Sequence, residues 1–175
     1  MRDKHAAKWQ GGATRMELAV SIAVVGILAA ALLERLLYVE EYAEKTAMEL
    51  TIANMQAGLR ARIGNLLIEG QPSRIPTLAG ANPVEFLDKH PDNYLGALEV
   101  SPDGRADGNW YFDINRRELV YTANNTLHFV PSAYRDYTVR LRVMPVHAAA
   151  NPGGGKPGAQ QDWVALVVVN DYRWF

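Results

Sequence analysis

Residues that could perform catalysis are sparse in this chain of 175 residues. It contains no cysteine, which excludes disulfides, thiolate metal sites and cysteine nucleophiles. No G-x-S-x-G motif offers a serine nucleophile. The four histidines lie far apart, without the spacing of metal ligands: His5, His90, His128 and His147. We therefore expect a protein that is not an enzyme and that needs no cofactor.

Two loops carry residue types that bind ligands in other proteins. The run Gly153–Lys156 is similar to part of a phosphate-binding loop, but Pro157 replaces the serine or threonine that must follow the lysine. A flexible hairpin loop is the expected structure there. Asp103 and Asp107, each followed by glycine, could offer oxygens to calcium. A solvated β-turn explains this acidic turn more simply, so we predict no metal site.

One carboxylate occupies a costly position. Glu17 directly precedes the uncharged run Leu18–Leu33, LAVSIAVVGILAAALL. An ionised group at the edge of a hydrocarbon layer is unfavourable unless it is paired, and it marks a functional site by default. The alternative is an interfacial glutamate that lipid headgroups solvate. Glu17 is the first candidate functional residue.

The apolar run itself has three interpretations. As a helix its 16 residues cover roughly 24 Å, somewhat less than the ~30 Å hydrocarbon core of a bilayer. A buried helix of a soluble protein is disfavoured because such helices rarely lack charge on every face. A secretory signal peptide would need cleavage near Ala29–Ala31, yet the apolar run continues through Leu33. A membrane-spanning helix is the favoured interpretation.

The charges on either side of this run predict its direction. Basic residues predominate before it, at Arg2, Lys4, Lys8 and Arg15. Acidic residues predominate after it, at Glu34, Glu40, Glu41 and Glu44. Because basic residues stay on the cytoplasmic side, we expect a single-pass protein with a cytoplasmic N-terminus and a periplasmic C-terminal part.

The segment Gly12–Leu18, GATRMEL, places a glutamate five residues after a glycine, and an apolar run follows that contains Val25–Ala30. It resembles the class III signal sequence of type IV pilins and type II secretion pseudopilins. The resemblance implies that residues 1–12 are a leader, that prepilin peptidase cuts between Gly12 and Ala13, and that the new amine of Ala13 is N-methylated. In this family the glutamate pairs with the N-terminal amine of a neighbouring subunit and takes part in recognition for methylation, which assigns both roles to Glu17.

Three positions depart from the family pattern. Ala13 stands where Phe or Met is usual, Arg15 stands where an apolar residue is usual, and Glu34 occupies the place of a helix-kinking proline. Cleavage depends mainly on the glycine, so we expect processing to be retained. Without the proline, the helix is expected to run straighter.

The helix is predicted to continue to about Glu69 and to stop at Gly70, which precedes Gln71 and Pro72. Between Glu34 and Glu69 apolar residues recur at intervals of three or four: Met48, Ile52, Met55, Leu59, Ile63 and Leu66. Such a stripe fits one side of a helix packed on a globular head, and a coiled coil is the alternative. Glu41 and Lys45, four residues apart, are expected to support this half locally.

The remainder is predicted to form the head. A linker at residues 71–83 leads to a short helix at Val84–His90. Strands are predicted at 96–100, 109–114, 118–122, 126–130, 137–145 and 163–170, joined as antiparallel hairpins. Trp110 and Phe112 are expected in the core, and the face with Arg140 and Arg142 is expected to be wet. The segments around Tyr94–Gly96 and Gly108–Asp113 also look like the heads of minor pseudopilin-like proteins.

Together these features predict an α+β protein in which a long N-terminal helix packs on an antiparallel sheet. The expected parts are a leader (1–12), a membrane half (13–34), an amphipathic half (35–70) and a periplasmic head (71–175). The expected function is a structural subunit of a type IV pilus or type II secretion pseudopilus; the alternative is an unpolymerised, signal-anchored ligand-binding module. Expected partners are other pilin-like subunits, prepilin peptidase, an inner-membrane assembly platform and the lipid bilayer. The counts of 18 basic and 19 acidic residues give no indication of nucleic-acid binding.

Overall fold

A computed structural model describes residues 14–99, 107–131, 137–147 and 162–175. The fold is α+β, as predicted: a long helix, α1 (Arg15–Ile68), is followed by two short 3₁₀ helices at Pro72–Leu78 and Pro83–Phe86 and by seven strands among the described residues. The strands are β1 (Tyr94–Leu98), β2 (Asn109–Asp113), β3 (Glu118–Thr122), β4 (Phe129–Val130), β5 (Thr138–His147), β6 (Asp162–Val168) and β7 (Arg173–Trp174). The chain divides into two compact units, one up to Val39 and one from Glu40 onwards.

The first unit contains the N-terminal half of α1. Every described residue from 14 to 40 is exposed. Thr14 caps the helix, because the backbone N–H of Glu17 donates to its Oγ1 at 3.2 Å. The spacing of Thr14 and Glu17 is that of a capping box, in which the third helical residue is Glu or Gln.

The end of α1 is set by Gly70, as the sequence predicted. Gly70 has φ +69, a left-handed conformation that favours glycine. Its N–H donates to the carbonyl of Leu67, and the N–H of Gln71 donates to the carbonyl of Leu66. These two bonds form a Schellman motif, which satisfies carbonyls that the helix end leaves without a partner.

The second unit is built on a five-stranded sheet in the order β1-β2-β3-β5-β6, with β4 and β7 as a separate pair. All neighbours are antiparallel except β1 and β2, which are parallel. The expected antiparallel hairpin between these two strands is therefore wrong. A two-residue turn cannot join parallel strands, because the chain must return to the same end of the sheet.

The core lies between the second half of α1 and one face of the sheet. Five residues of the predicted stripe are buried: Met48, Met55, Leu59, Ile63 and Leu66. They join a single cluster with the apolar side chains of the sheet, including Trp110, Phe112 and Leu141. The core assignment of Trp110 and Phe112 is confirmed.

Other details of the head differ from expectation. The segment predicted as a linker forms the first 3₁₀ helix and buries Ile75. The predicted helix at Val84–His90 is only the short 3₁₀ helix Pro83–Phe86, because Leu87 already has an extended conformation. Strand β3 has the predicted bounds, whereas β7 was not predicted.

The face of the sheet that carries Arg140 and Arg142 is only partly exposed to solvent, in contrast to the expectation. Thr138 and Val120 on this face are buried. Glu118 is also buried and pairs with both arginines, at 2.5 Å from Arg142 and 3.7 Å from Arg140. An ion cluster rather than free solvent therefore covers part of this face.

Candidate functional site

Of the residues that the sequence assigned to processing and assembly, only Glu17 is described. Gly12 and Ala13 lie outside the described residues, and so do Asp103 of the acidic turn and the Gly153–Lys156 run. Glu17 occupies the first turn of α1, where the helix dipole favours a negative charge. Its side chain is exposed among the described residues.

The surface next to Glu17 is apolar along the whole first half of α1. Large apolar side chains point into open space on all sides, including Leu18, Ile22 and Leu28. Among the described residues, α1 is the one helix that is long and apolar enough to cross a membrane, and none of its most apolar window is buried. Exposed apolar surface of this extent is typical of protein–protein or membrane interaction sites.

The second half of α1 carries a different carboxylate site, centred on Glu41. The side chain of Glu41 is only 1% exposed and accepts three hydrogen bonds. Its donors are the backbone N–H of His128 at 2.8 Å, His128 Nδ1 at 2.7 Å and Trp174 Nε1 at 3.0 Å. One helix residue thus holds both the segment between β3 and β4 and the strand β7.

Glu44, one turn further along, binds the beginning of the same segment. Its carboxylate accepts from the backbone N–H of Asn124 at 2.6 Å and from that of Asn125 at 2.9 Å. The side chain of Asn125 and the hydroxyl of Tyr121 also donate to it. Charge-assisted bonds of this kind are stronger than bonds between neutral groups. Glu41 and Glu44 together therefore fasten the segment 124–128 to the helix.

The electrostatics of the two carboxylates are consistent with this role. Burial alone would raise the pKa of Glu41, but the hydrogen bonds from His128 and Trp174 outweigh it and hold the pKa below its ordinary value of 4.5. Burial and the neighbouring charge of Glu44 strongly raise the pKa of Tyr121. Tyr121 therefore remains a hydrogen-bond donor at neutral pH.

This site was missed by sequence reasoning, although a pattern pointed to it. Glu41 precedes Met48 by seven residues and Met55 by fourteen, so it continues the buried stripe. The sequence had paired Glu41 with Lys45, which is wrong: Glu41 binds His128, and Lys45 lies 3.8 Å from Glu49. A buried carboxylate is costly unless hydrogen-bond donors compensate its lost hydration. The bonds of Glu41 within the head are therefore favoured over a surface pair with Lys45.

A carboxylate on Nδ1 of a histidine also orients the general base of catalytic triads. Here two further N–H groups bind Glu41, and the ring of Phe175 stacks on His128 with centroids 4.9 Å apart. This geometry supports fastening rather than proton transfer. No group of three potential metal ligands occurs within the part of the chain that the structure describes.

A second feature of the head is a groove of about 500 Å³ between α1 and β6. Its walls are mainly apolar and include Leu59, Ile63 and Trp163. Gln56 reaches across to the backbone carbonyl of Leu166 at 3.5 Å. The groove is open to solvent and has the size of a small-ligand site.

No protein-family model, curated protein or solved structure matches this chain. The class of protein therefore rests on the chain's own features. These are a long, apolar N-terminal helix and a β-sheet head that packs on the helix's second half. This architecture is compatible with a pilin-like fold.

Proposed function

We propose that this protein is a structural, non-enzymatic subunit of a filament of the type IV pilus or type II secretion pseudopilus class. In this proposal the inner membrane holds the subunit by the first half of α1, with the N-terminus cytoplasmic and the head periplasmic. After prepilin peptidase removes residues 1–12, an assembly platform transfers the subunit into the filament, where it contacts other pilin-like subunits.

The observation that carries the proposal is the contrast within α1. From residue 14 to residue 40 every side chain is exposed although most are apolar, whereas the following residues pack into a complete core. A filament subunit needs both properties, because its helix must be covered first by lipid and then by neighbouring helices. The head meanwhile has to stay folded in water.

The exposed carboxylate of Glu17 supports the same assignment. Thr14 caps the helix by accepting a hydrogen bond from the backbone N–H of Glu17. This bond does not involve the Glu17 carboxylate. The group would be free to pair with the amine of Ala13 on the next subunit. A charge pair in a low-dielectric environment would fix the axial position of one subunit against another.

Processing gives the most direct test. Gly12→Val should leave a chain that is longer by the leader, because prepilin peptidases accept little besides glycine before the cut. Gly11→Val, one residue away, is the matched control and should still be cleaved. Intact-mass measurement of membrane-extracted protein decides the result, and a mature-length Gly12→Val product would reject the assignment.

The alternative function is a membrane-anchored module that binds a ligand without polymerising. The apolar groove between α1 and β6 is the observation that favours it. Blocking cleavage should abolish the function of a filament subunit but leave a tethered binding module active. A Gly12→Val strain with unchanged function would therefore favour the module.

A further inference from the structure

We infer that the head docks on the lipid headgroups through a small surface next to the first turn of α1 within the second unit, which begins at Glu40. We call this surface the aromatic rim and define it as Tyr42, Leu127, His128 and Phe175. The inference rests on the proposed membrane anchoring and adds the surface by which the head meets the bilayer. Its ligand is a lipid surface.

The aromatic rim is a continuous packed structure. The ring of Phe175 stacks on His128 and meets Tyr42 edge-on, with the two centroids 5.8 Å apart. The backbone N–H of Phe175 donates to the carbonyl of His128. Lys45 Nζ lies 5.7 Å from the Phe175 ring centroid, which adds a cation to the edge of the rim.

Leu127 is the most exposed part of the rim. It is 77% exposed, although it directly precedes the well-fixed His128. Because the bonds from Glu41 hold the backbone of His128, Leu127 is presented on a rigid base. Tyr42 is 54% exposed on the helix beside it.

Two carboxylates of α1 beside the rim are occupied by hydrogen bonds within the head. Glu41 is buried against His128 and Trp174, and Glu44 binds the loop backbone. Neither presents a free negative charge to an anionic lipid, so the exposed Glu40 is the remaining carboxylate on this turn of α1. Lys45, which lies 3.8 Å from the exposed Glu49, and His128 are next to the rings of the rim. Such a mixture of aromatic and basic groups is typical of membrane interfaces.

The chain keeps the rim within reach of the headgroup layer. The uncharged run is roughly 6 Å shorter than a hydrocarbon core, and continuing to Leu37 supplies 20 residues and about 30 Å. The charges that this adds, Glu34 and Arg35, lie within the last turn, close enough to the edge for their side chains to extend to the headgroups. Arg35 lies over the ring of Tyr38 at 5.7 Å, a placement suited to a basic residue that reaches for the interface. Tyr42 follows Leu37 by only five residues, a stretch that spans at most about 18 Å, so the rim stays within reach of the headgroups.

Because the chain has no cysteine, single-cysteine variants report on individual positions. We would label Leu127→Cys, Ile68→Cys and Leu28→Cys in the full chain with an environment-sensitive fluorophore. Each protein is reconstituted in phosphatidylcholine–phosphatidylglycerol vesicles that contain lipids with a nitroxide either near the headgroup or near the acyl-chain end. Ile68 is the matched control, since it is 86% exposed and ends α1, roughly 39 Å beyond Tyr42 along the helix.

We expect the shallow nitroxide to quench the Leu127 probe severalfold more than the Ile68 probe, and the deep nitroxide to quench the Leu28 probe. Quenching at Leu28 without quenching at Leu127 would leave the anchor intact and overturn the docking surface. Equal quenching at Leu127 and Ile68 would also overturn it. A Leu127 probe that is shielded only at high protein-to-lipid ratio would assign the rim to a second copy instead of lipid. If no probe is quenched, both membrane anchoring and docking are wrong.

Discussion

Two glutamates on the same helix differ in the number of hydrogen bonds that their carboxylates accept from the described chain. Glu41 is buried and accepts three hydrogen bonds from two other segments of the head. Glu17 is exposed, and the local bonds observed at this residue use its backbone. Glu41 therefore completes a structure within the head, whereas the Glu17 carboxylate has no partner among the described residues.

The apolar residues around the two glutamates follow the same division. Those near Glu41 belong to one closed cluster with the sheet. Those that follow Glu17 are exposed, and the most apolar window of α1 has no buried residue. Apolar character alone therefore does not predict burial within the chain, and the partner surface decides it. The head should tolerate changes at Glu17, and the membrane half should be indifferent to Glu41.

The largest effect on stability is expected at Glu41. Glu41→Ala would leave the indole N–H of Trp174 without an acceptor in a buried place and would remove both bonds from the half-exposed His128. An unsatisfied buried donor costs about 1–3 kcal/mol, and the lost charge-assisted bonds of His128 add to this loss. Thermal unfolding of the detergent-solubilised protein should show a markedly lower midpoint.

Glu17→Ala is the matched control for this experiment and should leave the midpoint unchanged. If Glu41→Ala unfolds at the wild-type temperature, Glu41 does not fasten the head. If Glu17→Ala lowers the midpoint as much, the division between the two halves of α1 fails.

The converse effect is expected for Glu17 during assembly. Glu17→Gln removes the charge but keeps a residue that suits a capping box, so helix capping is preserved. Loss of a charge-assisted pair in low dielectric should cost a few kcal/mol per subunit and reduce incorporation by about tenfold or more. The measurement compares sheared filaments with membranes by immunoblot. Cleaved protein should accumulate in the membrane.

Glu34→Gln, at the other end of the uncharged run, serves as the control and should assemble normally. Normal incorporation of Glu17→Gln would make Glu17 an ordinary capping residue. The filament proposal would then rest on the leader and the helix alone.

The parts of the fold that depend on local periodicity could be predicted from the sequence. The helix was expected from Glu17 to about Glu69 and is observed from Arg15 to Ile68. The stripe of three- and four-residue intervals and the stop at Gly70 are properties of short windows, which a single sequence contains.

The parts that depend on distant partners could not be predicted. Trp174 and Glu41 are 133 residues apart in the sequence, and no local pattern around either residue predicts their hydrogen bond. The two-residue pair of β4 and β7 is too short for an alternating pattern to be recognised. Among the candidate site residues, Glu17 was found through a motif, whereas Glu41 needed the fold.

Two glycines of α1 offer a smaller and sharper test of the packed half. A Cβ at Gly58 would collide with the backbone carbonyl of Phe86, whereas a Cβ at Gly64 would meet nothing within 4 Å. Gly58→Ala should therefore destabilise by about 1–3 kcal/mol through overpacking. Gly64→Ala should stabilise by up to about 1 kcal/mol, since alanine is the better helix former. Chemical unfolding of both variants measures the difference in their free energy of unfolding. If both variants are more stable than wild type, then the 3₁₀ helix Pro83–Phe86 shifts enough to accommodate the added methyl group at residue 58.

The smallest expected effect is the pH dependence of the Glu41 site. Its hydrogen bonds hold the folded pKa below the ordinary 4.5, so the folded state binds fewer protons than the unfolded state near that pH. The resulting stability is present above pH 4.5 and is lost as the pH falls through the folded pKa. Glu41→Gln keeps the size of the side chain but has no carboxylate to titrate. Wild type should therefore be more stable than Glu41→Gln above pH 4.5. This difference in the free energy of unfolding should shrink as the pH falls below 4.5. If the Glu41 difference instead grows as the pH falls, then the carboxylate is destabilised in the folded head, and burial rather than its three donors governs this site.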